Sequence, residues 1–141
     1  MAENEIDIAV PRERVFAILA DAQRYADWLV GTDRVRDADD SWPAPGARLH
    51  HSIGAAGVTL DDSTEVLECD APERLLLLAQ LGPLGAFRVE LLLRAEGEST
   101  HVTMNEVAVE GVSKLAEPLT GVAVAARNKF SLERLKELAE A

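Results

Sequence analysis

Between Asp33 and Glu110 the chain repeats one pattern, short runs of apolar and polar alternation separated by turn-forming residues. The runs are 33–39, 47–53, 59–70, 74–82, 86–96 and 100–110, and the breaks read "PAPG", "GAAG", "DAPE", "LGPLG" and "AEGES". Successive side chains of a strand point to opposite faces, so each run is a strand with one face available for burial. The Gly, Pro, Asp and Ser in the breaks are the residues that tight reversals require. Six consecutive strands so joined form an antiparallel meander, whose apolar face needs a cover.

The flanking segments supply that cover. Glu5 to Val10 alternates, with Ile6, Ile8 and Val10 on one side, and reads as a first strand. Pro11 suits a helix start, and Val15, Phe16, Ile18 and Leu19 form one apolar stripe over Pro11 to Ala20. Asp21 is placed to cap a second short helix, about Ala22 to Asp27. Val112 to Glu140 reads as a long closing helix, with Pro118 tolerable only near its start. At about 100° per residue, Leu132, Leu135 and Ala139 fall within about 40° of Asn128, so this face is expected to lie on the sheet.

The 141 residues suit one domain, 1–141, and no repeat or low-complexity linker divides them. With 25 acidic against 14 basic residues the net charge is −11. That balance opposes binding to phosphate backbones and anionic membrane surfaces, so no nucleic acid is expected as a partner. The most apolar window, Leu75 to Phe87, is interrupted by Gln80, Gly82 and Pro83 and falls short of the roughly 20 residues a membrane helix needs, so no membrane insertion is expected. The single cysteine, Cys69, excludes an internal disulfide, and "MAENEIDIAV" lacks the features of a signal peptide, which together suggest a cytoplasmic protein.

The order strand, two helices, six strands and long helix resembles the helix-grip fold of the START-like (SRPBCC) superfamily, and its polyketide cyclase/dehydrase-like members in particular. The residues that carry the resemblance are "PRERVFAILADAQRYADWLVG" (11–31), "WPAPGARLHHSIG" (42–54), "VTMNE" (102–106) and "RNKFSLERLKEL" (127–138). The resemblance implies an α+β fold in which a curved seven-stranded antiparallel sheet wraps the C-terminal helix and encloses an apolar cavity. It implies no single activity, since the superfamily includes carriers, co-chaperones, hydroxylase subunits and enzymes.

Several side chains are candidates for the interior. Phe87, Val89, Leu91 and Leu93 alternate along one strand and face the helix, and Met104 shares a strand face with Val102, Glu106 and Ala108. In that phase Glu106 enters an apolar interior, where burial raises a carboxyl pKa and suits it to acid or base work or to holding a ligand hydroxyl. Val107 and Val109 are apolar too, so a bulge would reverse the phase and leave Glu106 in solvent. His50 and His51 point to opposite faces and cannot share a metal; His51, in phase with Leu49 and Ile53, is the inward one. It is either a histidine satisfied by an internal hydrogen bond or a ligand contact. Asn128 needs a partner on the sheet-facing stripe, and a ligand or a backbone carbonyl would serve equally. Trp28 and Trp42 read as apolar walls near the cavity mouth, with plain core packing the alternative for Trp28. "WPAPG" is the turn that brings Trp42 there. No cofactor or metal site is expected, and the absence of GxSxG, phosphate-loop and HExxH motifs excludes the matching hydrolase, nucleotide and zinc-protease readings.

Three functions fit these residues. The first is a carrier or sensor that binds a small lipophilic or polycyclic molecule in the cavity, as a monomer or homodimer. The second is a polyketide cyclase or dehydratase with Glu106 and His51 as acid and base and Asn128 orienting a carbonyl. The third is a co-chaperone-like or toxin–antitoxin-like interaction protein with a collapsed cavity.

Overall fold

A computed structural model describes residues 2–30, 32–55, 58–80, 85–110 and 117–141, with side chains described for all of these except 32–34, 36, 51–55, 58–62, 110 and 117–121. The chain runs β1 (Ala2–Ile8), α1 (Arg12–Leu19), a 3-10 turn (Ala22–Arg24), α2 (Tyr25–Trp28), β2 (Thr32–Ala38), β3 (Arg48–Ala55), β4 (Val58–Asp70), β5 (Arg74–Gln80), β6 (Ala86–Glu96), β7 (Ser99–Glu110) and α3 (Glu117–Glu140). The seven strands form one antiparallel sheet in the order β1-β7-β6-β5-β4-β3-β2. β2 to β7 follow one another as the meander requires, and β1 joins beside β7. The α1–α2 segment therefore links the two edge strands. Among the described residues, no helix is long and apolar enough to cross a membrane.

Alternation translates directly into burial. On β5 Leu75 and Leu77 are buried, on β6 Val89, Leu91 and Leu93, and on β7 Val102, Met104, Glu106 and Ala108. The α1 stripe of Val15, Phe16, Ile18 and Leu19 closes over the same core, as do Leu132, Leu135 and Ala139 of α3. α3 lies alongside β1 and is tied down at several points. Asn4 Nδ2 donates to Ala125 O at 3.0 Å, Val30 N donates to Ser131 Oγ at 3.0 Å, and Ala9 N donates to Glu140 Oε2 at 2.8 Å. These bonds seat the helix along its length while the apolar face packs between them.

Some boundaries differ from the expectation. The first strand is Ala2–Ile8 rather than 5–10, because its ladder with β7 runs from Ala2 opposite Glu106 to Ile8 opposite Thr100. Pro11 has no N–H to extend it, and the Val10 carbonyl instead accepts from Thr100 Oγ1 at 2.7 Å. α1 begins at Arg12 with Pro11 as its cap position, and Asp21 caps the following turn by accepting from Gln23 N at 3.1 Å. β5 ends at Gln80, and 81–82 lie outside the described residues, as do 112–116 of the expected closing helix. Within α3 Pro118 is the second residue, where a missing N–H costs nothing. "WPAPG" does form the β2–β3 connection: Ala44 N donates to Ser41 O at 2.7 Å, and Gly46 takes φ +89°, a value that favours glycine.

Candidate functional site

Within the described interior, α2, β4, β7 and α3 assemble a polar cluster. Glu106 falls on the inward phase of β7 and its side chain is 2% exposed. Arg127 Nη2 donates to both its oxygens, at 2.7 and 2.8 Å, and Asn128 Nδ2 donates to Oε1 at 3.3 Å. Asn128 Oδ1 in turn accepts from Arg127 Nε at 3.3 Å and Nη2 at 3.2 Å. Three side chains thus satisfy one another without a backbone carbonyl. Alternation alone predicts a lone carboxyl in an apolar interior; instead Glu106 has a guanidinium counter-charge.

Tyr25 and Thr64 complete the cluster. The Tyr25 phenol is pushed up to about 12, chiefly by burial, with a hydrogen bond to Thr64 and the Arg127 charge working against the rise. It therefore stays protonated at any ordinary pH and serves as a neutral hydrogen-bonding group. Its ring meets Trp28 edge-on, with centroids 5.4 Å apart and planes at 68°. Trp28 is 1% exposed, and its Nε1–H has no hydrogen-bond partner among the described residues.

Tyr25, Trp28, Thr64, Glu106 and Arg127 line a void of about 20 Å³ together with Leu29, Leu77, Ala79, Val89, Leu91 and Met104. That is room for a single water. Arg127, with 27% of its side chain exposed, reaches from this void to solvent.

The other expected site residues fall in different places. Trp28, Val89, Leu91, Met104 and Glu106 line the void, and Asn128 stands behind Glu106. Phe87 is buried on the same strand as Val89 and Leu91 but is not among the residues that line it. Trp42 is not among the described residues that line this void. Its Nε1–H donates to Leu19 O at 3.1 Å and its ring meets Tyr25 edge-on at 6.3 Å, so it locks α1 to the β2–β3 turn from within the core. The His51 backbone pairs with Val35 and Asp62, and its side chain lies outside the described residues. Tyr25, Thr64 and Arg127 are site residues that the sequence analysis does not single out. Tyr25 is one helical turn from Trp28 and Thr64 is in phase with buried Val66, so both carry a periodicity signal. Arg127 lies beside the helix stripe and enters only because its side chain is long.

His101 sits apart, among acidic residues that converge from β1 and β6. Nδ1 lies 2.7 Å from Asp7 and 3.9 Å from Glu96, and Nε2 lies 3.2 Å from Glu5; Arg94 pairs with Glu96 at 3.5 Å. Hydrogen bonds to Asp7 and then Glu5 raise its pKa above the usual 6.5. A raised folded-state value stabilises the protonated form, so this contribution is complete below about pH 6.5 and is lost as pH rises through the folded value. Melting temperature is expected to fall from pH 6 to pH 9 less steeply in His101→Gln than in the parent. Parallel slopes across that window would remove His101 as the cause.

Residues 2–140 match the family model described as polyketide cyclase/dehydrase and lipid transport. The chain belongs to this family. Its fold is shared by protein CV1439 from Chromobacterium violaceum, at 16% identity and TM-score 0.71 over 100% of this chain and 99% of that one. TTHA0849 from Thermus thermophilus is 20% identical, with TM-score 0.70 over 98% and 95% of the two chains. The di-domain ARO/CYC protein StfQ from the steffimycin biosynthetic pathway is 12% identical, with TM-score 0.74 over 98% of this chain and 49% of StfQ. No curated protein matches the chain. In this family chain, then, the inside of the helix grip carries a buried carboxylate paired with a partly exposed guanidinium, beside an indole donor without a partner among the described residues.

Proposed function

We propose that the protein binds a small, mainly apolar molecule inside the helix grip, with the polar end of the ligand held at the Tyr25–Trp28–Glu106–Arg127 cluster. The observation that carries this reading is a void lined by both kinds of group, apolar Leu77, Val89, Leu91 and Met104 together with polar Tyr25, Thr64, Glu106 and Arg127. An apolar pocket with a few converging polar groups is the usual form of a small-molecule site. At about 20 Å³ the void admits a larger molecule only when side chains move. Arg127, the partly exposed member, is the one with room to swing aside. The family description, with its lipid transport, supports a carrier or sensor role.

A second reading, a cyclase or dehydratase, is favoured by the ARO/CYC designation of StfQ and by the same buried cluster. In that reading Glu106 and His51 act as acid and base. Asn128 already donates to Glu106 and accepts from Arg127, so carbonyl orientation passes to Trp28 and Arg127. A panel of polycyclic ketones, fatty acids and sterols, scored by melting temperature and tryptophan fluorescence, tests both readings. Binding at micromolar Kd, about −8 kcal/mol, with ligands recovered unchanged supports the carrier; time-dependent loss of a polyketone substrate that Glu106→Gln abolishes supports the enzyme. No response from any ligand would favour the interaction-protein reading instead.

A further inference from the structure

The outer face of the sheet, away from the helix grip, brings His101 of β7 together with carboxylates from both neighbouring strands. Asp7 of β1 and Arg94 of β6 are the residues directly opposite His101. Glu5 and Glu96 stand two residues along from these, and a period of two keeps them on the same face, out of phase with buried Ile8, Leu93 and Val102. Asp7 and His101 are 94 positions apart in the chain, so no local metal-ligand spacing announces the group; the register of the ladders creates it. Among the described residues, Asp7, Glu96 and His101 are the metal-ligating side chains whose donor atoms all lie within 4.8 Å of one another.

Geometry and charge both suit a divalent ion, and the imidazole decides which. Nδ1 lies 2.7 Å from Asp7 Oδ1 and 3.9 Å from Glu96 Oε1. Donors bonded to zinc at about 2.0–2.2 Å stand roughly 3.4 Å apart in a tetrahedron, between those two values. The Asp7 and Glu96 side chains, 75% and 47% exposed, have room to close the difference. Arg94 lies 3.5 Å from Glu96, and Lys136, which donates to the Asp7 carbonyl oxygen, is neutralised by Glu140. Glu5, Asp7 and Glu96 against Arg94 thus leave two negative charges around a neutral imidazole, the complement of one divalent cation. Calcium and magnesium prefer all-oxygen shells, whereas an imidazole nitrogen suits zinc. The second ring nitrogen gives an independent indication. Nε2 lies 3.2 Å from Glu5 Oε1, and a zinc-bound histidine characteristically donates its other N–H to a carboxylate. With Nε2–H committed to Glu5, the Nδ1 lone pair faces Asp7 and Glu96.

We propose that His101 Nδ1, Asp7 and Glu96 form a zinc(II) site on the outer face of the sheet, with water as the fourth ligand and Glu5 as a positioning residue that fixes the imidazole tautomer. On binding, the ion displaces the proton held between Nδ1 and Asp7, which passes to solvent, while Nε2 keeps its own. The ion then ties the edge strand β1 to β7 and β6, on the face opposite the grip and independently of any molecule bound inside it.

Calorimetric titration of the metal-free full chain with zinc(II) alone is expected to show one ion per chain and a rise in melting temperature, with no response to calcium(II) at the same concentration. His101→Gln and Asp7→Asn should each weaken zinc binding by about tenfold or more, and Glu5→Gln by about tenfold, the lower end of the loss for an outer partner. His50→Gln is the control and should bind as the parent does. Circular dichroism checks that each variant keeps the fold. In ¹⁵N spectra of the imidazole, zinc should shift His101 Nδ1 while the Nε2–H signal persists, and in Glu5→Gln that signal should move upfield as its charged acceptor is lost. Zinc binding unchanged in His101→Gln or Asp7→Asn, coordination through Nε2, or no binding at all would overturn the site. Calcium binding equal to that of zinc would overturn it too, reducing it to diffuse attraction of cations to a chain of net charge −11. Unchanged affinity and an unmoved Nε2–H signal in Glu5→Gln would overturn the positioning role.

Discussion

Truncating Leu135 to alanine is expected to lower the free energy of unfolding by about 2–5 kcal/mol. Leu135 is 0% exposed at the centre of the α3 face that also buries Leu132 and Ala139, and its neighbours come from the core shared with α1 and the sheet. The loss combines the transfer free energy of the deleted methyls with the cavity left behind, and against a typical domain stability of about 5–15 kcal/mol it is a large fraction. Urea denaturation followed by circular dichroism measures it. Glu133→Ala and Glu137→Ala, on the exposed side of the same helix, provide the comparison and should change stability by less than about 0.5 kcal/mol. A Leu135→Ala loss in that smaller range would mean that this face does not pack on the sheet.

Removing Arg127 has the second large effect, and for an electrostatic reason. In Arg127→Met the Glu106 carboxylate stays in the core without its cation, and we expect a loss of about 3 kcal/mol, the lower end of the range for breaking a buried pair because Arg127 is itself partly exposed. Replacing both residues, as Glu106→Met with Arg127→Met, should restore most of that stability, since an apolar pair of similar volume avoids the desolvation of two charges. A double-mutant cycle in chemical denaturation gives the coupling. A double variant as unstable as the single one would mean that the pair is required by the packing. If the double variant is stable yet has lost ligand binding, the pair is retained for the ligand.

The order of elements and the inward phase of β1, β5, β6 and β7 were legible in the sequence. β-strand alternation has a period of two, and a slip of one residue would expose every apolar side chain, so the pattern leaves little choice of face. That is why alternation alone places Val89, Leu91, Met104 and Glu106 inward. The wheel position of Leu132, Leu135 and Ala139 follows in the same way, from a period of about 3.6. The conflict between the alternation of Glu106 and the apolar Val107 and Val109 is resolved by the ladder: β6 pairs with β7 continuously from Phe87–Ala108 to Glu96–Ser99, with its register shift at Ala86–Phe87, beyond Glu106.

Periodicity specifies the direction in which a Cβ points, and that is the limit of what the sequence by itself determined here. The site depends on where long or polar side chains end, across elements remote in sequence. Arg127 stands beside the helix stripe, yet its guanidinium reaches Glu106 on β7. Trp42, a residue whose aromatic character suggested a pocket rim, instead spends its only donor on the Leu19 carbonyl. Trp28 has the same chemistry but finds no such carbonyl. Which indole finds a partner among the described residues and which does not was decided by the tertiary structure alone, because a hydrogen bond requires two atoms at about 3 Å and no local pattern encodes that distance.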